Sequence, residues 1–204
     1  RIVKMGVISN GTTLLDAGAL DSGVATGAMT LISTSTASSS ATIDITSGID
    51  STYKEYVFKF INIHPANDDI SFQFQADVGT GTSYAQTITS SHFRATHGED
   101  ASSEGVSYIS GGDLAQETGF QLLAGSVGND ADQNIAGILH LFDPSSTTFV
   151  KHFVGNFQSI AHSNRSNNQY PAGYFNTTTA ITRVRFKFAS GNIDSGTIKM
   201  YGIK

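Results

Sequence analysis

The chain has 204 residues, a net charge of −5 and no cysteine, and only 14% of its residues are charged, against about 25% in an average soluble domain. This balance argues against a nucleic-acid partner, because phosphates are neutralised by clustered lysine and arginine, and the densest basic group is Arg183, Arg185 and Lys187. Without cysteine no disulfide frame or thiolate metal site can form, and no apolar run approaches the roughly 18 residues of a membrane span, so we expect no membrane insertion.

The first segment, residues 1–28, is rich in glycine and small residues and sustains neither helical nor strand periodicity. It carries too little apolar surface to offset the entropy lost on ordering by itself. Leu14, Leu15 and Leu20 are nevertheless too apolar for a free linker. We therefore expect an extended arm that orders against a partner and serves attachment or oligomerisation. A flexible terminus is the alternative, above all for residues 1–10.

From residue 29 the chain changes to short segments with strand patterns, separated by turns. A Ser/Thr tract over 33–40 is typical of a linker or of a polar edge strand. Residues 54–63 and 70–77 both alternate apolar and polar side chains, which predicts two strands. They form either a hairpin or two strands that face each other across a sandwich.

The second half of the chain continues the strand pattern. Residues 84–97 predict a longer polar strand or strand pair, and 98–134 is the least regular region. The segment Ile135–Phe142 is apolar on both faces, which predicts a central strand covered on both sides. Further strands are predicted over 149–160, 181–189 and 197–203, with a polar loop over 163–169 and an aromatic patch over 170–175.

Nine or ten short strands with regular turn signals and no convincing helix indicate an all-β protein. We predict an antiparallel two-sheet sandwich, jelly-roll-like, over residues 29–204, behind the extended N-terminal arm of residues 1–28. A barrel stays open as an alternative, because sandwiches and barrels share this sequence pattern.

The residues with metal or catalytic potential form no recognisable site. His92 and His97 are five apart on a predicted strand and so face opposite sides, while His140 and His152 on neighbouring strands lack the third ligand that zinc needs. Carboxylates sit in turns, where Asp and Asn bond their own backbone, and the acidic stretch 129–132 lacks the spacing of a calcium loop. With no nucleophile elbow or phosphate-cradling loop, we expect no catalytic residue, cofactor or metal, and no enzyme.

One segment, residues 164–175, combines an arginine, amides and aromatic rings. Aromatic faces stack on sugar rings while amides bond the hydroxyl groups, so this pattern is a candidate carbohydrate site. The candidate ligand-binding residues are Arg165, Asn167, Asn168, Gln169, Tyr170 and Tyr174. The alternative is a loop whose amides cap turns and whose aromatics join the core.

A second feature is the basic row Arg183, Arg185 and Lys187, which alternates along a predicted strand with inward apolar residues. Such a row is either a solvated face that resists edge pairing or a contact with acidic groups of a neighbouring copy. The inward residues are Val184, Phe186 and Phe188.

Three stretches, MTLIST over 29–34, IDITSGIDSTYKEY over 43–56 and FINIHP over 60–65, resemble a family of small virion surface proteins from tailed phages, particularly marine ones. The ending IKMYGIK is similar to that family's last strand, and NGTTLLDAGAL over 10–20 resembles the leaders of such virion appendage proteins. The resemblance covers both ends of the chain and transfers no functional residues.

The resemblance implies a tail-fibre or capsid-fibre tip or a capsid decoration protein, made in the host cytoplasm and located on the virion surface. Such proteins are usually homotrimers, with an arm that attaches and a β-sandwich head that faces outward. The implied partners are other copies of the chain and other virion proteins, with a host-surface glycan as a further candidate. An arm that needs a partner and a neutral, cysteine-free surface agree with a self-assembling exterior protein.

Two other functions stay open from the sequence. One is a carbohydrate-binding module with residues 164–175 as its site. The other is a glycan-cleaving enzyme, which needs two carboxylates facing each other across a groove, and the sequence identifies no such pair.

Overall fold

The computed structural model describes residues 28–204 throughout and, before them, the backbone of three strands: β1 (Val7–Ser9), β2 (Thr12–Asp16) and β3 (Ala19–Leu20). These strands pair antiparallel with one another in the order β1-β2-β3. The side chains of Leu14, Leu15 and Leu20 lie outside the described part, so the assembly role of residues 1–28 stays a prediction.

Thirteen further strands form one antiparallel sheet, so the all-β prediction is confirmed: 62% of the chain is strand and the described residues contain no helix. Within the described residues there is accordingly no helix suited to crossing a membrane. In chain order the strands are β4 (Met29–Ser40), β5 (Ile43–Ile45), β6 (Glu55–Pro65), β7 (Ile70–Val78), β8 (Ile88–Gly98), β9 (Gly105–Tyr108), β10 (Ala115–Glu117), β11 (Gln121–Val127), β12 (Ile135–Phe142), β13 (Lys151–Ala161), β14 (Arg165–Phe175), β15 (Ile181–Phe188) and β16 (Ile193–Ile203).

The sheet consists of a long and a short run of hydrogen-bonded strands. The long run has the order β4-β16-β6-β12-β13-β14-β8, with β9 and β10 paired to β8, and the short run has the order β11-β7-β15-β5. The runs are linked by one pair, Val127 of β11 and Ala161 of β13. At the opposite end only residues 41–42 separate β4 from β5, so the antiparallel sheet is nearly closed.

The Ser/Thr tract over 33–40 belongs to a strand. It continues β4, which among the described strands pairs with β16 alone. Of the two alternatives for this tract, the polar edge strand is therefore confirmed. Short polar side chains suit such an edge, because an apolar edge strand would invite pairing with other chains.

Strands β6 and β7 begin and end close to where their alternation predicts, but they do not form a hairpin. Strand β6 pairs with β16 and β12, and β7 pairs with β11 and β15. The ring centroids of Phe60 and Phe72 lie 5.7 Å apart at 78°. The two strands thus face each other across the core, which was the second alternative.

The core between the two runs is mainly aromatic. Phe186 lies at its centre, fully buried, with the rings of four other phenylalanines within 5.1–6.3 Å between centroids. Burying one such side chain contributes about 1.5–3 kcal/mol. The buried phenylalanines are Phe58, Phe60, Phe72, Phe74, Phe153, Phe157, Phe175, Phe186 and Phe188.

The predicted central strand Ile135–Phe142 has the predicted bounds, but the expectation that both of its faces are covered is wrong. Ile138 and Phe142 remain 38% and 37% exposed, and Val154 on the adjacent β13 is 48% exposed. The inward side chains Leu139 and Leu141 are fully buried. The long run of strands therefore has a packed inner face and an open outer face.

The basic row on β15 is engaged by the chain itself. Arg185 donates two hydrogen bonds to the carboxylate of Asp44 on β5, at 2.7 and 2.6 Å, and its guanidinium lies 4.1 Å from the ring centroid of Tyr84. Arg183 donates to the carbonyl oxygen of Gly81 at 3.3 Å. The row thus makes contacts within the protein itself. The sequence had suggested either a solvated face or a contact with a neighbouring copy, and neither alternative included these contacts.

Candidate functional site

The candidate ligand residues over 164–175 lie on a strand, so the predicted polar loop over 163–169 is wrong for most of its length. Residues Arg165–Phe175 form β14, which is paired on both sides, with β13 and with β8. Because side chains of a strand alternate between faces, the six candidates are divided. Asn168, Tyr170 and Tyr174 belong to the outer face, whereas Asn167 and Gln169 point inward.

The two inward amides are structural. Gln169 is 1% exposed; its side-chain oxygen accepts a hydrogen bond from the N–H of Gly125 at 2.9 Å, and its nitrogen donates to the Gly125 carbonyl at 3.2 Å. The side-chain oxygen of Asn167 accepts from the hydroxyl of Thr96 at 3.0 Å. These bonds fix β14 to β11 and to β8, and neither amide faces the outer surface of the sheet.

A first ridge of large side chains crosses the outer face. Phe93 on β8 lies opposite Tyr170 on β14, and their rings stack at 4.7 Å and 11°. The flanking pairs of β13 and β14 place Asn156 beside Tyr170, and Ile138 of β12 is the next residue in the row. The nitrogen of the Asn156 side chain donates to Asn168 at 3.1 Å, which orients an amide next to the aromatic pair.

A second ridge runs parallel to the first. Tyr174 on β14 lies opposite His152 on β13, with ring centroids 6.0 Å apart at 61°. Tyr170 and Tyr174 are four residues apart on one strand, so the two ridges are separated by about 13 Å. Both rings are partly exposed.

Between the ridges lies a trough with a floor of small side chains. Ser91, Ala172 and Val154 stand side by side on three strands, and His140 of β12 follows in the same row. The opening there has a volume of about 430 Å³, and its lining combines this floor and Gly173 with His152 and Tyr174 of the second ridge. Four strands about 4.8 Å apart give the trough a length of about 15 Å.

The trough combines aromatic walls, an apolar floor and amides at its rim. Such a surface can stack on the apolar faces of sugar rings and bond hydroxyl groups at the edges. Of its residues, the sequence identifies Asn168, Tyr170 and Tyr174 but misses Phe93, Ser91 and His152. These belong to β8 and β13, and only the cross-strand register brings them beside β14.

The remaining candidate, Arg165, lies away from the trough. It begins β14, and Ala172 is seven positions further along the strand, which corresponds to about 23 Å. Arg165 lines hollows at the end of the sheet together with Arg94 and Thr96. The residues predicted to form one site therefore lie in separate places: Asn168, Tyr170 and Tyr174 beside the trough, and Arg165 at the end of the sheet.

The histidines have the arrangement that alternation predicts. His92 is fully buried, whereas the side chain of His97 is 60% exposed on the opposite face. His140 and His152 lie on the neighbouring strands β12 and β13. Over the residues that the structure describes, no group of three or more histidine and carboxylate side chains is placed to hold a metal ion.

Comparison of the chain with protein families, with curated proteins and with solved structures found no match.

Proposed function

We propose that this chain is a structural protein of the bacteriophage virion surface, either a capsid decoration or fibre protein or a tail-fibre protein. Residues 1–28 attach the protein and join its copies, with a trimer favoured, and residues 29–204 form the displayed head. The proposal assigns the chain no catalytic activity. It is supported by the resemblance of both ends of the chain to small tailed-phage proteins.

The observation that carries the proposal is the contrast between the two faces of the long run of strands. The inner face packs against the aromatic core, whereas the outer face exposes apolar side chains from several strands. Apolar side chains exposed together on one face of a sheet are available for contact with other molecules. The outward residues that are more than a third exposed include Ile61, Phe93, Ile138, Phe142 and Val154.

The proposal also takes the head as a two-sheet sandwich of jelly-roll kind. The long and short runs of strands would be its two layers, since one residue pair links them. The packing of Phe60 against Phe72, and of Phe74 against Phe153 at 5.1 Å, supports two facing layers.

The first prediction concerns the mass in solution of the full chain and of a chain that begins at Ala28. We expect three times the monomer mass for the full chain and a folded monomer for the shortened one. The cut precedes β4 and removes none of the pairing between β4 and β16, so the head keeps its sheet. Light scattering gives the masses, and far-ultraviolet circular dichroism checks that both chains are folded.

Two results would contradict the assembly role of the arm. If both chains are monomers, residues 1–28 do not join copies. If both are trimers, the copies associate through the head instead.

The trough favours a second candidate function, carbohydrate binding by a host-receptor-binding head. Its ridges place Phe93, Tyr170 and Tyr174 on either side of a floor of small residues, with Asn156 and Asn168 bonded to each other at the rim. Aromatic rings and amides with few charges suit a neutral or weakly charged sugar chain. This function is compatible with display on a virion.

The second prediction is that filling the trough weakens glycan binding at least tenfold. Ala172→Leu adds bulk to the floor without removing a wall residue, and Ala136→Leu is its matched control, because Ala136 is exposed on β12 outside the trough. A glycan array with the wild-type chain selects the ligand, and titration calorimetry compares the two variants. The carbohydrate function is contradicted if no glycan on the array binds at high protein concentration, or if both variants lose the same amount of glycan affinity.

A further inference from the structure

Three adjoining hollows lie where β14 begins and β8 ends, on the part of the sheet remote from the trough. Their volumes are about 340, 440 and 90 Å³. Arg165 lines all three, and Arg94 and Thr96 line two of them. We name this the arginine cleft; its other polar lining residues include Glu99, Asp100, Ser103, Glu104 and Ser107.

The two arginines of the cleft differ from the two on β15. Arg183 and Arg185 each donate at least one hydrogen bond within the chain, although the Nε of Arg183, like that of Arg94, is buried without a partner. Among the described residues neither Arg94 nor Arg165 forms a salt bridge, and the Nε of Arg94 is buried with no hydrogen-bond partner. Each guanidinium carries five N–H donors, and a buried donor without a partner is costly. The cleft thus offers unused donors with a positive charge.

Acceptors surround these donors. Asp100 accepts hydrogen bonds from the N–H of Ser102 at 3.0 Å and from its hydroxyl at 2.6 Å. These bonds hold the pKa of the Asp100 carboxyl below its usual range, so it is a negative acceptor. Glu104 lies 3.8 Å from the ring of His97 and also lines the cleft.

The balance of charge decides which anion fits. Three carboxylates, Glu99, Asp100 and Glu104, line the hollows beside two arginines, so a multiply charged phosphate meets repulsion. A single carboxylate can pair with a guanidinium through two parallel hydrogen bonds. The surrounding carboxylates and the hydroxyls of Thr96 and Ser103 then suit neutral hydroxyl groups on the same ligand.

We infer that the arginine cleft binds an acidic sugar, with Arg94 and Arg165 holding the sugar's carboxylate and the acidic and hydroxyl side chains bonding its hydroxyl groups. Hollows of 340 and 440 Å³ have the size of small-molecule sites. This site is separate from the trough, so the arginine variants test it, whereas Ala172→Leu tests the trough.

The third prediction tests this site with the full chain by titration calorimetry at one ionic strength. The probes are oligomers of galacturonate, glucuronate and mannuronate, their methyl esters, and inorganic sulfate and phosphate. We expect at least one uronate oligomer to bind and its methyl ester to bind at least tenfold more weakly. Arg94→Gln and Arg165→Gln should each weaken uronate binding about 10- to 100-fold.

The matched control is Lys199→Gln. It removes one positive charge from the outer face of β16, where Lys199 lies opposite Lys59 of β6. It should leave uronate binding unchanged, while circular dichroism confirms that all variants are folded. The inference is overturned if no uronate binds, if the methyl esters bind equally well, or if Lys199→Gln weakens binding as much as the arginine variants. Stronger binding of sulfate or phosphate than of every uronate would also overturn it, since the cleft would then be a site for free anions.

Discussion

Replacing Phe186 with alanine is expected to lower the free energy of unfolding by about 4 kcal/mol. The side chain is fully buried and its ring lies between those of Phe58, Phe60, Phe72 and Phe74, with centroid distances of 5.1–6.3 Å. Truncation removes the transfer free energy of the ring and leaves a cavity that rigid strands on both sides cannot close. No other position in the described core touches as many aromatic neighbours.

The measurement is urea unfolding followed by far-ultraviolet circular dichroism, with the slope of the transition compared between chains. The matched control is Phe149→Ala, because Phe149 is 71% exposed and its loss should change stability by no more than about 0.5 kcal/mol. A loss below about 1.5 kcal/mol for Phe186→Ala, with an unchanged slope, would contradict the central position of this ring in the core.

The inward face of β15 illustrates what the sequence determines. Val184, Phe186 and Phe188 alternate with polar residues, and all three are buried as predicted. Alternation determines which side chains share a face. It does not determine the partner strand, and the last strand, β16, pairs with β4 and β6, which lie more than a hundred residues earlier in the chain. The hairpin alternative for β6 and β7 fails for this reason.

The candidate site was only partly predictable for a related reason. Residues 163–169 are all polar, so this segment contains no apolar alternation that would reveal a strand. Once β14 is known to be a strand, its period of two separates Tyr170 and Tyr174 from the buried Gln169. The stack of Phe93 on Tyr170 depends on the register between β8 and β14, which local sequence does not encode.

The outer face of β12 shows a further limit of sequence patterns. Ile138 and Phe142 suggest a strand covered on both sides, yet both are more than a third exposed. An apolar residue indicates that its position favours contact with other apolar groups. It does not indicate whether those groups belong to the same chain or to another molecule. Under the proposed display function, the outer face of β12 contacts another molecule.

Acid is expected to destabilise the protein through His92, whose pKa burial lowers. The backbone of Gly112 and the side chain of Gln169 favour the charged ring, and the nearby Arg94 disfavours it, but burial has the largest effect. A lowered pKa in the folded state means that, below about pH 6.5, the unfolded chain binds a proton that the folded chain does not. Stability is therefore fully present above that pH and falls as the pH decreases towards the pKa of the folded state, by at most about 1.4 kcal/mol per pH unit.

His92→Leu should remove this contribution and make the stability of the variant less sensitive to pH between 6.5 and 5. At pH 7 we expect a change of less than about 1.5 kcal/mol, because leucine has a similar volume and neither ring nitrogen of His92 has a hydrogen-bond partner to lose. The control is His97→Leu, since His97 lies five residues along β8 with its side chain 60% exposed. Urea unfolding at steps of half a pH unit gives the slope of stability against pH for the wild-type chain and the two variants. An unchanged slope for His92→Leu would show that this ring is charged in the folded protein, the form that the nearby Gly112 backbone and Gln169 side chain favour.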